Sequence, residues 1–382
     1  MRIGIDAVAL QNAHSQAGLY QYTHRLVSGL QELGDDHAVS LLFFNWRSRA
    51  IDNTIAQYPV GPSMRKQCCR VPFRLLEALD GLSVPVGRLL GEFDVFHGPA
   101  FRLPPGRYAR RSVVTVHDLK FLDPDRYFPD DRAGADLFKR HTVDAVKRAD
   151  AVVAVSQYTR ADVLERLRCP PERLRVIYPG IGEEFRPDHD PDQIRRVTER
   201  YGVQGPYLLF VGFHEEKKNL LRVLDAFAQV RDHLPDRYQL VLAGPAGPAT
   251  PALRARIEVL GLGASVVVPG QIESRDLPML YAGARLFVFP SLHEGFGIPP
   301  LEAMASGVPV VASTAAALPE IVGPAAALAD PTRTESIAEH LLQVLSDHAR
   351  WLEMRTRGLQ HAQRFSWHRM AQEVAALYQE LA

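Results

Sequence analysis

The chain has 382 residues, room for two or three domains each with its own core, and its 44 Lys and Arg are balanced by 44 Asp and Glu. That balance provides no overall positive field for nucleic acid. Three cysteines, Cys68 beside Cys69 and Cys169 alone, make neither a disulfide framework nor a zinc site, which fits a reducing cytoplasm, and no apolar run reaches the about 18 residues that a bilayer-spanning helix needs.

The N-terminal MRIGIDAVAL alternates like a strand and lacks a basic region followed by a long apolar run, so it reads as a first fold element and not as a signal peptide. Short apolar runs at 3–8, 39–44, 112–116, 151–155 and 174–178 alternate with helical stretches at 19–33, 136–148 and 157–167. This is the pattern of a parallel sheet covered on both faces. Between 60 and 111, Arg65, Lys66, Arg70, Arg74, Arg88, Arg102, Arg107, Arg110 and Arg111 face only Glu77, Asp80, Glu92 and Asp94. Two readings stand for the stretch Arg65–Arg74, interleaved with Val71, Phe73, Leu75 and Leu76: a peripheral membrane contact, or a helix whose apolar face packs inside the domain. Ser156 is placed to cap the helix after 151–155. A polar, proline-bearing segment, GEEFRPDHDPDQ at 182–193, interrupts the pattern, which restarts with strands at 207–212, 239–244, 265–270, 285–290 and 309–313. We therefore expect an α/β fold with domains at 1–185 and 186–363, and a closing helix at 364–382 that packs back on the first domain.

Candidate chemistry gathers just after strand ends, where ligands of open α/β sheets sit. In Glu294-Gly295-Phe296-Gly297-Ile298-Pro299-Pro300-Leu301-Glu302, the prolines suit the first turn of a helix. That places Glu302 in the opening turn and Glu294 on the loop before it. The unpaired N–H groups and positive dipole end of a helix favour phosphate, and Gly295 and Gly297 allow close approach. A carboxylate beside that point suits a vicinal diol, so ribose next to a diphosphate satisfies both; an acidic helix start without a ligand is the plainer alternative. Lys217 and Lys218, in GFHEEKKN, could neutralise a diphosphate leaving group, although a lysine pair is commonly solvated surface. Glu215 and Glu216 read as an exposed turn. His117 closes the strand SVVTV, and Asp118 reads as a turn residue. Gly18 precedes a helix with the apolar stripe Leu19, Tyr22, Leu26 and Leu30, and its missing Cβ would let a ligand approach the backbone.

The segment VFPSLHEGFGIPPLEAMASGVPVVAS resembles the E-x7-E signature of retaining GT-B glycosyltransferases, specifically glycosyltransferase family 4. The likeness extends to VVTVHDL at 113–119, ADAVVAVSQYTRADVL at 149–164, VIYPG at 176–180, LLFVGFHEEKKNLLRVLDAF at 208–227 and LVLAG at 240–244. It covers most of the chain apart from 45–92 and the tail. The resemblance implies two Rossmann-like domains facing each other across a cleft, the first on the acceptor side and the second binding the nucleotide sugar, with transfer of a hexose at retained anomeric configuration. It implies that His117, Lys218 and Glu294 are catalytic, and that Gly18, Lys217, Lys218, Glu294, Gly295, Phe296, Gly297 and Glu302 bind the donor. Lys217 stands where relatives carry arginine, which removes a guanidinium fork from the phosphate grip. The family also places a nucleotide-side loop at Gly244. No cofactor or metal is implied, since lysines and a helix N-terminus take the metal's place; Asp123-Pro124-Asp125 only superficially resembles the metal-holding aspartates of the other main glycosyltransferase fold. The turn and the HGP and HDL segments are most similar to bacterial mannosyl- and rhamnosyltransferases of polysaccharide assembly. A GDP-linked donor is thus expected, a UDP-sugar second, with a glycan or lipid-linked acceptor. Two other activities stay open, a non-hydrolysing sugar-nucleotide epimerase and a non-catalytic sugar-nucleotide or glycan-binding protein of the same fold.

Overall fold

The structure, a computed structural model, describes residues 1–11, 18–34, 37–44, 48–71, 75–76, 91–106, 109–127 and 131–382. Contacts divide the chain into one unit of Met1–Gly180 with Trp367–Ala382 and another of Ile181–Ser366. The division falls a few residues from the sequence-based boundaries, and a parallel bridge between Ile181 and Ser366 ties its two crossing points together.

The first unit is built on a seven-stranded sheet of β1 (Arg2–Asp6), β2 (Ala38–Phe44), β3 (Met64–Cys69), β4 (Phe93–Gly98), β5 (Ala109–Val116), β6 (Ala151–Ala154) and β7 (Leu174–Val176), in the order β3-β2-β1-β4-β5-β6-β7. The second carries six strands, β8 (Tyr207–Val211), β9 (Gln239–Ala243), β10 (Val266–Gly270), β11 (Leu286–Phe289), β12 (Val310–Ser313) and β13 (Ala327–Ala329), in the order β10-β9-β8-β11-β12-β13. Neighbouring strands run parallel in both sheets. Helices cover both faces of such sheets, which is why central strands are apolar on consecutive residues. Val113 and Val114, Val152 and Val153, Leu208 to Phe210 and Leu240 to Leu242 are all fully buried. Each contributes roughly 1.5–3 kcal/mol through removal from water.

Three strands escape the apolar pattern. β3, MRKQCC, is an edge strand with a mostly polar composition, β4 is a short FDVFHG, and β13 is only three residues, Ala-Leu-Ala, inside an alanine-rich run. The basic stretch accordingly begins as a strand and not as a helix. Lys66 turns its ammonium onto three carbonyls of Ile55, Ala56 and Tyr58, 2.8–3.0 Å away, at the end of the helix Arg49–Gln57, where the dipole favours a cation. Arg70 pairs with Asp52 at 2.9 Å, while Arg102 and Arg111 pair with Asp6 and Asp150. Arg65 is exposed. Phe73, Arg74, Glu77, Asp80, Arg88 and Arg107 lie outside the described residues. No helix among the described residues is long and apolar enough to cross a membrane.

The final helix, Trp367–Leu381, belongs to the first unit. It lies against the helix Gly18–Glu32 so closely that a Cβ at Gly29 would come 2.5 Å from that of Ala371. Tyr378 from this helix reaches His97 of β4 at 2.5 Å; the other ring nitrogen of His97 meets Thr115 at 2.8 Å, and Thr115 in turn meets Tyr22 at 3.3 Å. These four side chains are buried, so the chain of hydrogen bonds carries the polar groups that burial would otherwise strand.

Burial first, and then the neighbouring His117, push the His97 pKa down to about 3. The folded protein therefore refuses a proton that the unfolded chain accepts below its ordinary value of about 6.5. Stability from this group is complete above pH 6.5 and is lost as the pH falls toward 3. Between pH 7.5 and pH 5 it should decline by about 2 kcal/mol. Urea unfolding followed by far-UV circular dichroism will show the decline, and it should be smaller in His97→Gln; an identical pH dependence in the variant would remove His97 as its source.

Candidate active site

The second unit builds a compact cluster of paired charges from two strand-end loops. After β8, the chain makes a short 3-10 turn, Glu216–Lys218, and ends it with Asn219 in the left-handed region at φ 63°. Asparagine tolerates that conformation better than most residues. Its side-chain nitrogen donates to the carbonyls of Pro290 (3.0 Å) and Pro331 (2.7 Å), and its oxygen accepts from Arg222 at 2.8 Å. Leu292 N–H donates to the Lys217 carbonyl at 2.7 Å. The lysine turn is thereby stapled to the loop after β11.

That staple places Lys218 Nζ 2.6 Å from Glu294 Oε1, and Lys217 Nζ 3.6 Å from Glu294 Oε2 and 3.4 Å from Glu215. The lysine ammonium at 218 also sits 4.9 Å over the Phe289 ring, an electrostatically favourable seat. Burial pushes the Glu294 pKa up, but the charges of Lys217 and Lys218 and the hydrogen bond from Lys218 outweigh it, leaving it lowered to about 2. Glu294 is a carboxylate throughout the physiological range. For Lys218 burial dominates and lowers its pKa, against the pull of Glu294. Glu215 is half-buried beside Lys217, whereas Glu216 alone is the exposed member of that pair.

Beyond Glu294, Gly297 caps the helix Ile298–Ala305 at φ 109°, a value L side chains rarely adopt, and a Cβ there would lie 2.7 Å from Leu318. Pro299 and Pro300 sit in the first turn as expected, and they remove two of its N–H donors. The helix end therefore offers its dipole and the Ile298 amide, and the glycine loop must supply further donors. One expectation needs correction. Glu302 lies in the second turn and not the opening one, beside the buried Tyr281 hydroxyl, whose pKa is raised first by burial and then by the Glu302 charge. The Phe296 ring is buried against Phe365, at 5.9 Å between centroids, so the residue offers a ligand its backbone and not its ring. At the end of β9, Gly244 has φ 141°, and a Cβ there would lie 1.9 Å from the Gly212 carbonyl, so only glycine lets these strand ends approach.

In the first unit, His117 follows β5 and its Nε2 is 2.8 Å from the Pro99 carbonyl. A carbonyl can only accept, so Nε2 carries the proton and the neutral ring has its lone pair at Nδ1. Burial is the largest influence and lowers the His117 pKa, against the Pro99 contact and Asp118. The ring is held edgewise by Tyr22 at 4.7 Å and tilted against Phe101 at 5.0 Å. Tyr22 belongs to the helix that Gly18 opens, and a Cβ at Gly18 would meet no described atom within 4 Å. Asp118 accepts from Lys120 N–H in a turn, and Ser156 caps its helix through Thr159 N–H. Asp123 and Asp125 are each paired with an arginine, Arg166 and Arg132, and the described residues contain no group of three or more potential metal ligands.

Asn219 and Tyr281 were not singled out from sequence as site residues. An Asn closing a lysine turn between strand and helix is a legible local signal; the Tyr281 contact with Glu302 is purely tertiary. Replacing Asn219 by Ala should destabilise the second unit by about 3 kcal/mol, roughly 1 from forcing alanine into the left-handed region and roughly 2 from the two lost donations. Asn219→Gly should recover the conformational part. Urea unfolding of the three proteins measures this, and an Ala variant as stable as the parent would mean that the staple contributes nothing.

Comparison with known proteins identifies the family and the fold. The family Glycosyltransferase Family 4 matches residues 17–185 and Glycosyl transferases group 1 matches residues 193–365. O-antigen chain mannosyltransferase B of Escherichia coli is 34% identical over 290 residues, 75% of this chain and 74% of that protein. Serotype-specific mannosyltransferase WbdA of Escherichia coli is 31% identical over 277 residues, 71% of this chain but 34% of that longer protein, so the chain matches about a third of its length. Among solved structures, sucrose-phosphate synthase from Thermosynechococcus elongatus superposes with a TM-score of 0.77 at 20% identity, covering 100% of this chain and 99% of that one. Anabaena HepE, solved with UDP and glucose, gives 0.73 at 20% identity over 98% of each chain. At such identities the structural likeness speaks for the fold, which is GT-B. With both halves matched and a relative aligned over three quarters of its length, the chain belongs to glycosyltransferase family 4 and is a glycosyltransferase.

Proposed function

We propose that the protein transfers a hexose, mannose first, from a nucleotide diphosphate sugar to a hydroxyl of a glycan or lipid-linked acceptor, with retention at the anomeric carbon. The observation that carries this reading is the Lys217–Lys218–Glu294 cluster beside a glycine-capped helix start. The two ammonium groups and the loop of Gly295 to Gly297 hold the diphosphate and take up the negative charge that grows on it as the sugar leaves. Glu302 accepts the ribose hydroxyls, and Glu294, ionised and held between lysines, accepts sugar hydroxyls. His117 Nδ1 accepts a further sugar hydroxyl, and Gly18 leaves room for backbone approach. As the glycosidic C–O bond to phosphate breaks, the acceptor oxygen forms the new bond on the same face, and its proton passes to the departing phosphate oxygen. Mannose is favoured because the relatives include O-antigen mannosyltransferases; GDP is the favoured base and UDP the second. The work is assigned to the cytoplasm. Any membrane contact by the basic stretch falls to Arg65 among the described residues, since Lys66 and Arg70 are engaged within the fold.

Ribose contacts act in ground and transition states alike, whereas leaving-group charge develops during reaction. Glu302→Ala should raise the donor KM on the order of tenfold or more with kcat little changed, in keeping with the ~1.5–3 kcal/mol of a hydrogen bond to a charged group. Lys218→Ala should lower kcat on the order of 100-fold in a folded protein, Lys217 remaining beside Glu294. Steady-state kinetics against GDP- and UDP-sugars separates the two, and near-parental turnover of the Lys218 variant at saturating donor would remove that lysine from the mechanism.

Transfer should survive EDTA unchanged, because lysines and a helix end do a divalent ion's work at the diphosphate. Loss of activity on chelation, restored by magnesium or manganese, would return attention to Asp123 and Asp125. Product analysis tells transferase from epimerase: an epimerase converts the donor with no acceptor present.

A further inference from the structure

The proposed reaction draws on the Nδ1 lone pair of His117, and a lone pair serves a reaction only where its ring is fixed. The loop after β4 gives one support. A Cβ at Gly98 would lie 1.8 Å from the Arg102 carbonyl oxygen, so only glycine lets the loop fold back on itself there. Phe101 holds φ at 66°, a left-handed conformation that costs a non-glycine residue free energy, and its N–H donates to the Thr115 carbonyl at 3.0 Å. The loop so tightened aims the Pro99 carbonyl at His117 Nε2 and lays the Phe101 ring against the imidazole.

Tyr22 is the other support, its ring edge-on to that of His117. What holds Tyr22 is the buried chain that starts on the final helix. Thr115 lies two residues before His117, and its hydroxyl meets both Tyr22 and His97 Nε2; His97 Nδ1 in turn meets the Tyr378 hydroxyl at 2.5 Å, the shortest contact of the three. Tyr378, His97 and Thr115 are each 0% exposed and Tyr22 is 1% exposed, so bulk water does not compete for these bonds.

The direction of the protons follows from the chemistry. A neutral imidazole donates from one nitrogen and accepts at the other. A phenol is a stronger donor than an aliphatic hydroxyl, and the shortest contact is the one at Tyr378, so Tyr378 donates to His97 Nδ1 and His97 Nε2–H donates to Thr115 Oγ1. Thr115 then has its own proton for the Tyr22 oxygen. Without the Tyr378 hydroxyl, His97 Nδ1 loses its donor in a dry core, its ring is free to exchange tautomers, and Thr115 no longer presents a fixed partner to Tyr22. We infer that Tyr378 and His97 are positioning residues for His117, acting through Thr115 and Tyr22 to fix the ring whose Nδ1 takes the sugar hydroxyl. The inference rests on the assignment of His117 to the sugar and adds to it the side chains that hold the ring.

Tyr378→Phe keeps the ring and removes the hydroxyl, and Thr115→Val cuts the chain at a second point with little change of shape. In the full chain with isotope-labelled histidine, imidazole NMR spectra should show His117, assigned by its loss in His117→Gln, as one sharp Nε2–H tautomer in the parent and as shifted or exchange-broadened signals in both variants. GDP release from GDP-mannose, or UDP release from UDP-glucose, with methyl α-mannoside as acceptor, should fall on the order of tenfold in kcat, with donor KM changed by less than about twofold. In a His117→Gln background, Tyr378→Phe should lower kcat by less than about twofold further, because a residue that acts through His117 has nothing left to act on. A purely structural role would lower kcat equally in both backgrounds. Unchanged His117 signals, an unchanged kcat, or an equal fall in both backgrounds overturns the inference. Failure of GDP and UDP to bind by calorimetry would sink the transferase reading while the His117 spectra still decide the positioning, so the two fail separately.

Discussion

A carboxylate drawn largely out of water cannot be left alone, and the second unit is arranged around that requirement at Glu294. Removing an ion from water costs several kcal/mol even after relaxation, and only well-placed counter-charges offset it. Lys217 and Lys218 are those counter-charges, and they stay in place because Asn219 holds their turn against the loops carrying Pro290 and Pro331. The same arrangement that solves the desolvation problem leaves two ammonium groups, one ionised carboxylate and a helix start within a few ångströms of one another. A diphosphate and a polyhydroxyl ring need that combination: cations for one, an acceptor for the other.

The first unit solves a different problem with neutral groups. Its return helix has to be docked on a sheet whose interior is apolar, and it does so with small-residue contact at Gly29 and Ala371 and with one buried hydrogen-bonded chain from Tyr378 through His97 and Thr115 to Tyr22. Tyr22 then supports the His117 ring. Docking of the helix and orientation of the histidine are thus mechanically linked. His117 is neutral for the same reason that His97 is, since burial disfavours the imidazolium in both. A neutral ring bonded to a carbonyl through Nε2 has one defined acceptor at Nδ1, which is more selective than a charged ring with two donors.

Much of this was legible in the residues. Consecutive apolar runs announced most of the parallel strands because both faces of such strands are covered, though not β4 at the middle of the first sheet, whose FDVFHG mixes in polar residues, and Pro299 and Pro300 announced a helix start because the ring fixes φ and the missing N–H is not needed there. The edge strand β3 was not legible: its polar face carries the basic residues that looked like a helix or a membrane surface. Glu302 was placed one turn too early, since proline positions locate a helix start only to within a residue or two.

Local pattern reports periodicity and propensity over a handful of residues and says nothing about which strand lies beside which. Strand order supplied the rest. β11 pairs with β8, not with its sequence neighbour β10, and that adjacency alone brings Glu294 to Lys218 across 76 positions. It is likewise the pairing of β4 with β1 and β5 that puts His97 under Tyr378, 281 positions away, and sets Arg102 against Asp6. The sequence by itself determined most of the strands, the family and the residue types at the strand ends. Tertiary structure decided their charge states and partners, because burial and pairing depend on neighbours that only the packed sheets define.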